Sequence, residues 1–389
     1  MSQTTITQFY QGVAGHALGA GGKNVAVMVL AQYITQTLVG LATPYWVPRF
    51  SHRTRIWTMA VLFVLNISVF AVMYGQSVAL HEDEHSLLHF PRICILLCVV
   101  TNAVAGIVTE ITCMQYTALY DGRTTNGFST GSGIGGLLGA SWAMASEPWP
   151  TISILSLLVF PVIIVVAFFY ILPHHQRRAS SRGSATKIDF VDEPVLKEET
   201  QNAFDSSKET PLSMTKMILI TFWVYSLPLL ITYSGFELIR SGFVKATWPK
   251  FKTSKDPGFY LKFNWAFRVT SAIGKSSTNF YATSKYWIFP LIVFAVGAVF
   301  GCVYAMGLAG VVELFLRDDF YGRIIVLTVL TLPLGFAYGS TSSNVYYALN
   351  MDVEDEGLRE FVLGNMRQVN TYGQILGNVV AYILHEFVG

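Results

Sequence analysis

The chain has 389 residues, of which 52% are hydrophobic and only 13% are charged, and its mean hydropathy is +0.46. A soluble globular domain has about a quarter of its residues charged, so this composition excludes a soluble enzyme, a disordered chain and a disulfide scaffold. The 26 basic residues nearly balance the 24 acidic ones, and the net charge of +2 therefore favours no class of partner. The composition predicts a multi-pass membrane protein.

Ten stretches are long and apolar enough, or nearly so, to cross a hydrocarbon core about 30 Å thick, which takes about 20 helical residues. In chain order they are residues 25–42, 56–74, 93–116, 127–144, 152–172, 217–235, 260–282, 287–305, 324–346 and 361–387. The seventh is the weakest, because it contains Lys262, Arg268 and Lys275. Arg268 and Lys275 are seven residues apart and share one helical face, which must face a polar interior or the membrane surface.

A hydrophilic segment, residues 174–216, contains fourteen charged residues and separates five spans from five. We therefore predict a polar N-terminal segment (1–24), an N-terminal bundle (25–173), an exposed cytoplasmic loop (174–216) and a C-terminal bundle (217–389). Two bundles joined by a long loop are typical of secondary transporters. A same-direction similarity between spans three and four and spans nine and ten favours an all-α, major-facilitator-like architecture.

Basic residues predict the orientation of the spans. Arg49, Arg53 and Arg55 place the first loop on the cytosolic side together with segment 174–216. Residues 237–258 contradict this pattern, because they carry five basic residues on the opposite side. An even number of spans then puts both termini on the lumenal or outer side, and we expect that a leading helix is missing from this chain.

The fourth span is rich in glycine. Its G-x-G-x-x-G sequence has no preceding strand, so it does not predict a dinucleotide site. Gly131, Gly135 and Gly139 instead recur every four residues and predict a smooth face for close helix packing. The same spacing predicts packing faces in later spans at Gly297, Gly301, Gly335, Gly339, Gly373 and Gly377.

Glu110 is a carboxylate inside the third span, where it costs several kcal/mol unless it is paired, hydrated or protonated. It is therefore a candidate for a substrate or proton pathway, with a structural hydrogen bond as the alternative. Glu237 closes the sixth span. Arg268 and Lys275 are available as partners for either acid; they could equally bind an anionic substrate, or reach a lipid headgroup.

Four further polar residues within spans are candidates for lining the same cavity, with helix-to-helix hydrogen bonds as the alternative: Asn102, Tyr116, Asn344 and Tyr346. The sequence shows no catalytic Ser/His/Asp set, metal-ligand spacing or P-loop, so we predict no enzyme, cofactor or metal. The partners that we expect are the lipid bilayer, a small polar metabolite, protons, and cytosolic trafficking proteins at residues 174–216. We expect no nucleic acid.

Four stretches resemble the battenin family of endolysosomal membrane proteins: AGIVTEITCMQYTALY (105–120), FSTGSGIGGLLGA (128–140), YSGFE (233–237) and residues 335–349. Their order and spacing cover nearly the whole chain from about residue 25. Battenin-like proteins begin with one more helix and carry an acidic dileucine signal in the central loop, and neither is evident here.

The resemblance implies a lysosomal or vacuolar protein with a major-facilitator-like fold. It implies a transporter or transport regulator for small polar metabolites, acting in lumenal pH homeostasis, basic amino acid balance or glycerophosphodiester clearance. By position, Glu110 and Glu237 match two acids of the family. Two alternatives remain open: a carrier like the equilibrative nucleoside transporters, and a non-transporting scaffold that recruits trafficking or proton-pump partners through residues 174–216.

Overall fold

The computed structural model describes residues 22–46, 49–79, 90–117, 122–145, 154–171, 222–244, 259–283, 285–308, 320–353 and 356–388. Within these ranges the chain is helical and contains no strand. The first five helices are α1 (Gly22–Trp46), α2 (His52–Ala79), α3 (Phe90–Thr117), α4 (Gly122–Ala145) and α5 (Val159–Val166, continued by a π-helical turn, Ala167–Ile171).

The second group begins with α6 (Leu227–Glu237), which is flanked by the π-helical segments Phe222–Ser226 and Leu238–Val244. It continues with α7 (Phe259–Ser276), α8 (Ile288–Leu308), α9 (Phe320–Asp352) and α10 (Glu356–Val388). Ten described helices thus coincide with the ten predicted spans, and the all-α prediction is confirmed. Residues 174–216 and most of segment 1–24 lie outside the described residues, and the proposed domain boundaries stay a prediction.

Apolar length differs between the helices. Among the described residues, His52–Val72 and Leu96–Thr117 are long and apolar enough to cross a membrane by length and composition, and Ile154–Tyr170 and Ile288–Cys302 are shorter apolar helices. The other described helices contain more polar residues, and many of these side chains face the interior of the bundle. In α9, for example, the run Ser340–Asn344 is at most 2% exposed.

The N-terminal half is built around α3, which packs against α1 and α2, while α5 packs against α2. Its core contains Phe63 and Ile67 of α2, Ile107 and Ile111 of α3, and Leu157, each at most 2% exposed. Fully burying a side chain of this size contributes about 1.5–3 kcal/mol. This core fixes the position of α3, and therefore of Glu110.

The C-terminal half is built around a cluster of aromatic rings. Phe236 of α6 and Phe267 of α7 are stacked with their centroids 4.0 Å apart, and Tyr338 of α9 lies 4.9 Å and 5.1 Å from them. All three side chains are almost completely buried. The cluster holds α6, α7 and α9 together. Two of its members, Phe236 and Phe267, directly precede Glu237 and Arg268 in the sequence.

Glycines allow α9 to approach α7 backbone to backbone. A Cβ on Gly335 would lie 2.7 Å from the carbonyl oxygen of Phe267, and one on Gly339 would lie 2.8 Å from the backbone nitrogen of Lys275. From the opposite side, a Cβ on Gly274 would lie 3.0 Å from the backbone nitrogen of Ser340. No side chain fits at these positions without moving a helix.

The remaining glycines that the sequence singled out divide into two groups. Those of α10 face α6, because a Cβ on Gly373 would lie 2.9 Å from the Leu230 carbonyl oxygen and one on Gly377 would lie 2.8 Å from Glu237 Cβ. The glycines of the second group lie in α4 and α8, where Gly131 and Gly297 make no such close contact with a described residue of a neighbouring helix. Gly297 has its nearest atom at 3.4 Å and Gly131 has none within 4 Å, whereas Gly135 and Gly139 are buried and Gly301 is half-buried. In α4 the close contact with α7 is made by Gly133 instead.

Helix α4 joins the two halves. It follows α3 in sequence, yet it packs mainly against α7 and α9, while α10 returns to pack against α1 and α3. Polar bonds support both contacts: Gln368 Nε2 donates to the Gly40 carbonyl at 2.6 Å, and Asn350 Nδ2 donates to Thr125 Oγ1. Between these two contacts lies a cavity.

Candidate functional site

The cavity is lined by α1, α3 and α4 of the N-terminal half and by α6, α7, α9 and α10 of the C-terminal half. Its volume is about 100 Å³. A cavity needs only about 10–15 Å³ to hold one water, so this space accommodates several waters or a small polar group. Six charged side chains face it: Glu110, Glu237, Arg240, Arg268, Lys275 and Arg367.

One group of charges lies towards the end of the bundle at which α3 and α9 finish. Glu110 of α3 forms an ion pair with Arg367 of α10, with 2.5 Å between Oε1 and Nε, and the two side chains are 18% and 13% exposed. Lys275 of α7 donates from Nζ to Ser132 Oγ of α4 at 3.0 Å. The Glu110–Arg367 pair therefore links the two halves directly.

A second group lies towards the end of the bundle at which α4 and α6 finish. Glu237 forms an ion pair with Arg240, at 2.8 Å from Oε2 to Nη2, and both side chains are buried. Tyr33 of α1 donates from its hydroxyl to Glu237 Oε1 at 3.1 Å, and Arg240 Nη2 donates back to that hydroxyl at 3.4 Å. Asn378 Nδ2 approaches the same carboxylate at 3.5 Å. This network also joins the two halves.

Arg268 differs from the other cations of the cavity. Its guanidinium lies over the Phe267 ring, 5.6 Å from the centroid, and its Nε is buried without a hydrogen-bond partner. In the part of the chain that the structure describes, no carboxylate comes within ion-pair distance of Arg268 or Lys275. Of the four cations, Arg240 and Arg367 are therefore paired with a carboxylate. We call Arg268 and Lys275 the surplus cations. All four come from the C-terminal half.

The structure brings together Glu110, Glu237, Arg268 and Lys275, which the sequence singled out, and Tyr346 lines the same cavity. The suggestion that Arg268 and Lys275 are the partners of the two acids is wrong, because Arg367 and Arg240 take those places. The register of the helices against one another decides which cation pairs with which acid.

Three predicted residues lie elsewhere. Asn344 accepts the backbone N–H of Thr283 at 2.8 Å through Oδ1, which ties down the segment after α7. Tyr116 lies at the end of α3, with its ring 5.2 Å from that of Phe168 and 5.7 Å from that of His52. Asn102 is buried in α3 and does not line the cavity.

Sequence reasoning missed Arg240, Arg367 and Tyr33. Arg367 lies inside the predicted tenth span, so the rule that drew attention to Glu110 also applies to it. Arg240 follows Glu237 at the i, i+3 spacing that brings helical side chains together. It belongs to the basic segment 237–258 that contradicts the orientation rule, but it lies in the helical segment Leu238–Val244 and is buried. A single tyrosine such as Tyr33 gives no signal in the sequence.

The fold is shared with solved transporters. A bacterial homologue of the iron transporter ferroportin, in an outward-facing state, is 16% identical and has a TM-score of 0.57, with 100% of this chain and 92% of that chain covered. A structure of such a homologue with soaked iron gives 16% identity and a TM-score of 0.55, covering 100% and 94%. The fold is thus the one seen in these structures, and the predicted major-facilitator-like architecture is confirmed.

The family model described as CLN3 protein matches residues 14–388, and the chain therefore belongs to the CLN3, or battenin, family. Two curated relatives are both named Protein BTN1. The one from Debaryomyces hansenii is 24% identical over 376 residues, and the one from Yarrowia lipolytica is 24% identical over 364 residues. Each match covers 92% of this chain and 84% of the relative. The resemblance found in the sequence is confirmed.

Proposed function

We propose that this protein is a multi-pass transporter of the lysosomal or vacuolar membrane that moves a small polar metabolite bearing a negative charge by alternating access. The observation that carries the proposal is the cavity between the two halves, which is lined by four cations and only two carboxylates. Substrate sites at the interface of two helical repeats are typical of secondary transporters. Segment 174–216 then lies on the cytosolic side.

The surplus positive charge discriminates among the substrates that the family resemblance implies. A basic amino acid would bring a further cation next to Arg268 and Lys275, neither of which has a described carboxylate within ion-pair distance. A glycerophosphodiester brings a phosphate, which guanidinium and ammonium groups bind well. The same charge opposes a metal cation such as the iron soaked into the ferroportin homologue. We therefore favour glycerophosphodiester transport.

Glu110 is the proposed proton-sensitive group. It is four-fifths buried and forms an ion pair with Arg367, and Lys275, Tyr233 and Tyr346 line the same cavity. A proton on Glu110 would release Arg367 from its ion pair and leave a third cation available to an anion. Proton binding and anion binding would thus favour each other, as linkage requires of coupled sites. This coupling would connect the carrier with lumenal pH.

The test is uptake into proteoliposomes that contain the purified full chain, with glycerophosphoinositol, arginine and adenosine as separate labelled probes. We expect uptake of glycerophosphoinositol that depends on pH. We expect Glu110→Gln to reduce that uptake and to flatten its pH dependence. If Glu110→Gln leaves both the flux and its pH dependence unchanged, the role of Glu110 is wrong. Uptake of arginine alone would overturn the charge argument, and uptake of adenosine alone would favour the nucleoside carrier.

A scaffold without transport activity predicts a different result. It should show no flux for any probe, and in cells it should lose its effect on lumenal pH when residues 174–216 are deleted. A transporter should keep most of its metabolite clearance after the same deletion, because the cavity lies outside that segment. Comparing metabolite retention in isolated organelles, with and without the deletion, separates the two.

A further inference from the structure

The charges of the cavity form two groups, each with one carboxylate and two cations. The group towards the end of the bundle at which α3 and α9 finish is called the inner triad and consists of Glu110, Arg367 and Lys275. The group towards the opposite end is called the outer triad and consists of Glu237, Arg240 and Arg268. In each triad one cation is paired with the carboxylate, and the other has no described carboxylate within ion-pair distance. Each triad therefore carries one net positive charge.

The two triads are separated along α7. Lys275 and Arg268 are seven residues apart on one face of this helix, which corresponds to about 10 Å at a rise of 1.5 Å per residue. Arg268 follows Phe267, whose ring stacks on that of Phe236 immediately before Glu237, whereas Lys275 donates to Ser132 of α4. The backbone positions of the two surplus cations are therefore farther apart than a single phosphate or carboxylate group is wide.

We propose that the cavity contains two separate binding sites for anionic groups, one at each triad, and that the carboxylate of each triad occupies the anion's place on the arginine when the site is empty. This inference rests on the proposed function and deepens it. A substrate with one negative charge neutralises one triad and passes from one to the other during transport.

Each carboxylate is also connected to the N-terminal half. Glu110 belongs to that half, and Glu237 accepts the hydroxyl of Tyr33 from α1 at 3.1 Å. An anion that displaces a carboxylate from its arginine therefore breaks or moves a contact between the two halves. Arrival of the substrate at either triad thus acts on the interface that alternating access must open.

The test is isothermal titration of the purified, detergent-solubilised full chain with inorganic phosphate. We expect two binding components. Arg268→Gln should remove one and leave the other, and Lys275→Gln should remove the one that Arg268→Gln leaves. Glu237→Gln should strengthen the outer component about tenfold, because a competing charge-assisted hydrogen bond is lost while the shape of the side chain is kept.

Two controls keep the result independent of folding. Arg268→Lys keeps the charge and should retain both components. Arg55→Gln removes another buried arginine, which bonds to the Phe50 carbonyl and to Gln115 away from the cavity, and should leave both components unchanged. Each variant is compared with the parent chain by helical circular dichroism and by size-exclusion chromatography.

The outcomes separate this inference from the proposed function. If a single component is lost equally in Arg268→Gln and Lys275→Gln, the cavity has one anion site and the two-site inference is wrong, while anion transport stands. If phosphate does not bind even to the Glu110→Gln/Glu237→Gln chain, in which all four cations lack their competitors, both the inference and the proposed substrate class fail.

Discussion

The two halves of the molecule contribute different chemistry to the same cavity. The N-terminal half supplies amides and hydroxyls, among them Gln32, Gln36 and Ser132, and a single charge, Glu110. The C-terminal half supplies all four cations. The anionic substrate that we propose would thus be held by one half and would face a nearly uncharged wall on the other. In the proposed cycle the two halves can then separate while the substrate stays bound to one of them.

The halves also differ in how their helices meet. In the C-terminal half, α9 lies on α7 and α10 lies on α6 with glycines at the crossing points and no space for side chains. In the N-terminal half, the helices meet through large apolar side chains such as Phe63 and Ile107. The half that holds the cations is therefore the one in which helices cross backbone to backbone.

The largest effect is expected from the ion pair between the halves. Arg367→Gln leaves Glu110 buried without its partner, and breaking a buried pair in this way costs about 3 kcal/mol or more. Thermal unfolding in detergent should show a large loss of stability and proteoliposomes a loss of uptake. The Glu110→Gln/Arg367→Gln chain should recover most of the stability, because no isolated charge remains. A double variant as unstable as Arg367→Gln would show that the pair is not what links the halves.

A second prediction compares one glycine from each half. Gly339→Ala places a Cβ 2.8 Å from the backbone nitrogen of Lys275 and should cost about 2 kcal/mol by overpacking. Gly131→Ala meets nothing within 4 Å and should stabilise α4 by up to about 1 kcal/mol, since alanine favours a helix over glycine. The two melting temperatures, measured against the parent chain, should move in opposite directions. Equal shifts would contradict the difference in packing between the halves.

Tyr33→Phe removes the hydroxyl that joins α1 to Glu237 and Arg240. A single hydrogen bond of this kind contributes about 1 kcal/mol. The stability loss should shrink when Glu237 is already replaced by Gln, which a double-mutant cycle measures. Strictly additive losses would mean that Tyr33 acts through packing alone and not through the carboxylate.

The smallest effect is expected at Asn344, which lies in α9 but not in the cavity. Asn344→Ala removes the acceptor for the Thr283 N–H and should cost about 1 kcal/mol or less of stability. The KM for transported substrate should stay unchanged, because the side chain anchors a turn. A clear rise in KM with normal stability would indicate that Asn344 contributes to the substrate pathway after all.

The sequence predicted the helices well, because long apolar runs have few alternatives to a membrane helix. It also found Glu110, Glu237, Arg268 and Lys275, since charges within such runs stand out. Which cation pairs with which carboxylate was not predictable in the same way. Whether Glu110 meets Lys275 or Arg367 depends on the rotation of α10 against α3, and no local pattern encodes that rotation. Tyr116 and Tyr346 illustrate the same limit, because only the second faces the cavity.

The contact between α7 and α9 has a consequence for the speed of transport. Where two helices touch through their backbones, no flexible side chains lie between them to absorb a sliding motion. We therefore expect Lys275 and Tyr346 to keep a fixed spacing throughout the proposed transport cycle. In the proposed cycle the barrier for changeover then arises at the polar contacts between the halves, among them the Glu110–Arg367 pair, the Tyr33 hydrogen bonds and the Lys275–Ser132 bond. Turnover of the proposed transporter is thus limited by contacts between the halves and not by repacking between α7 and α9.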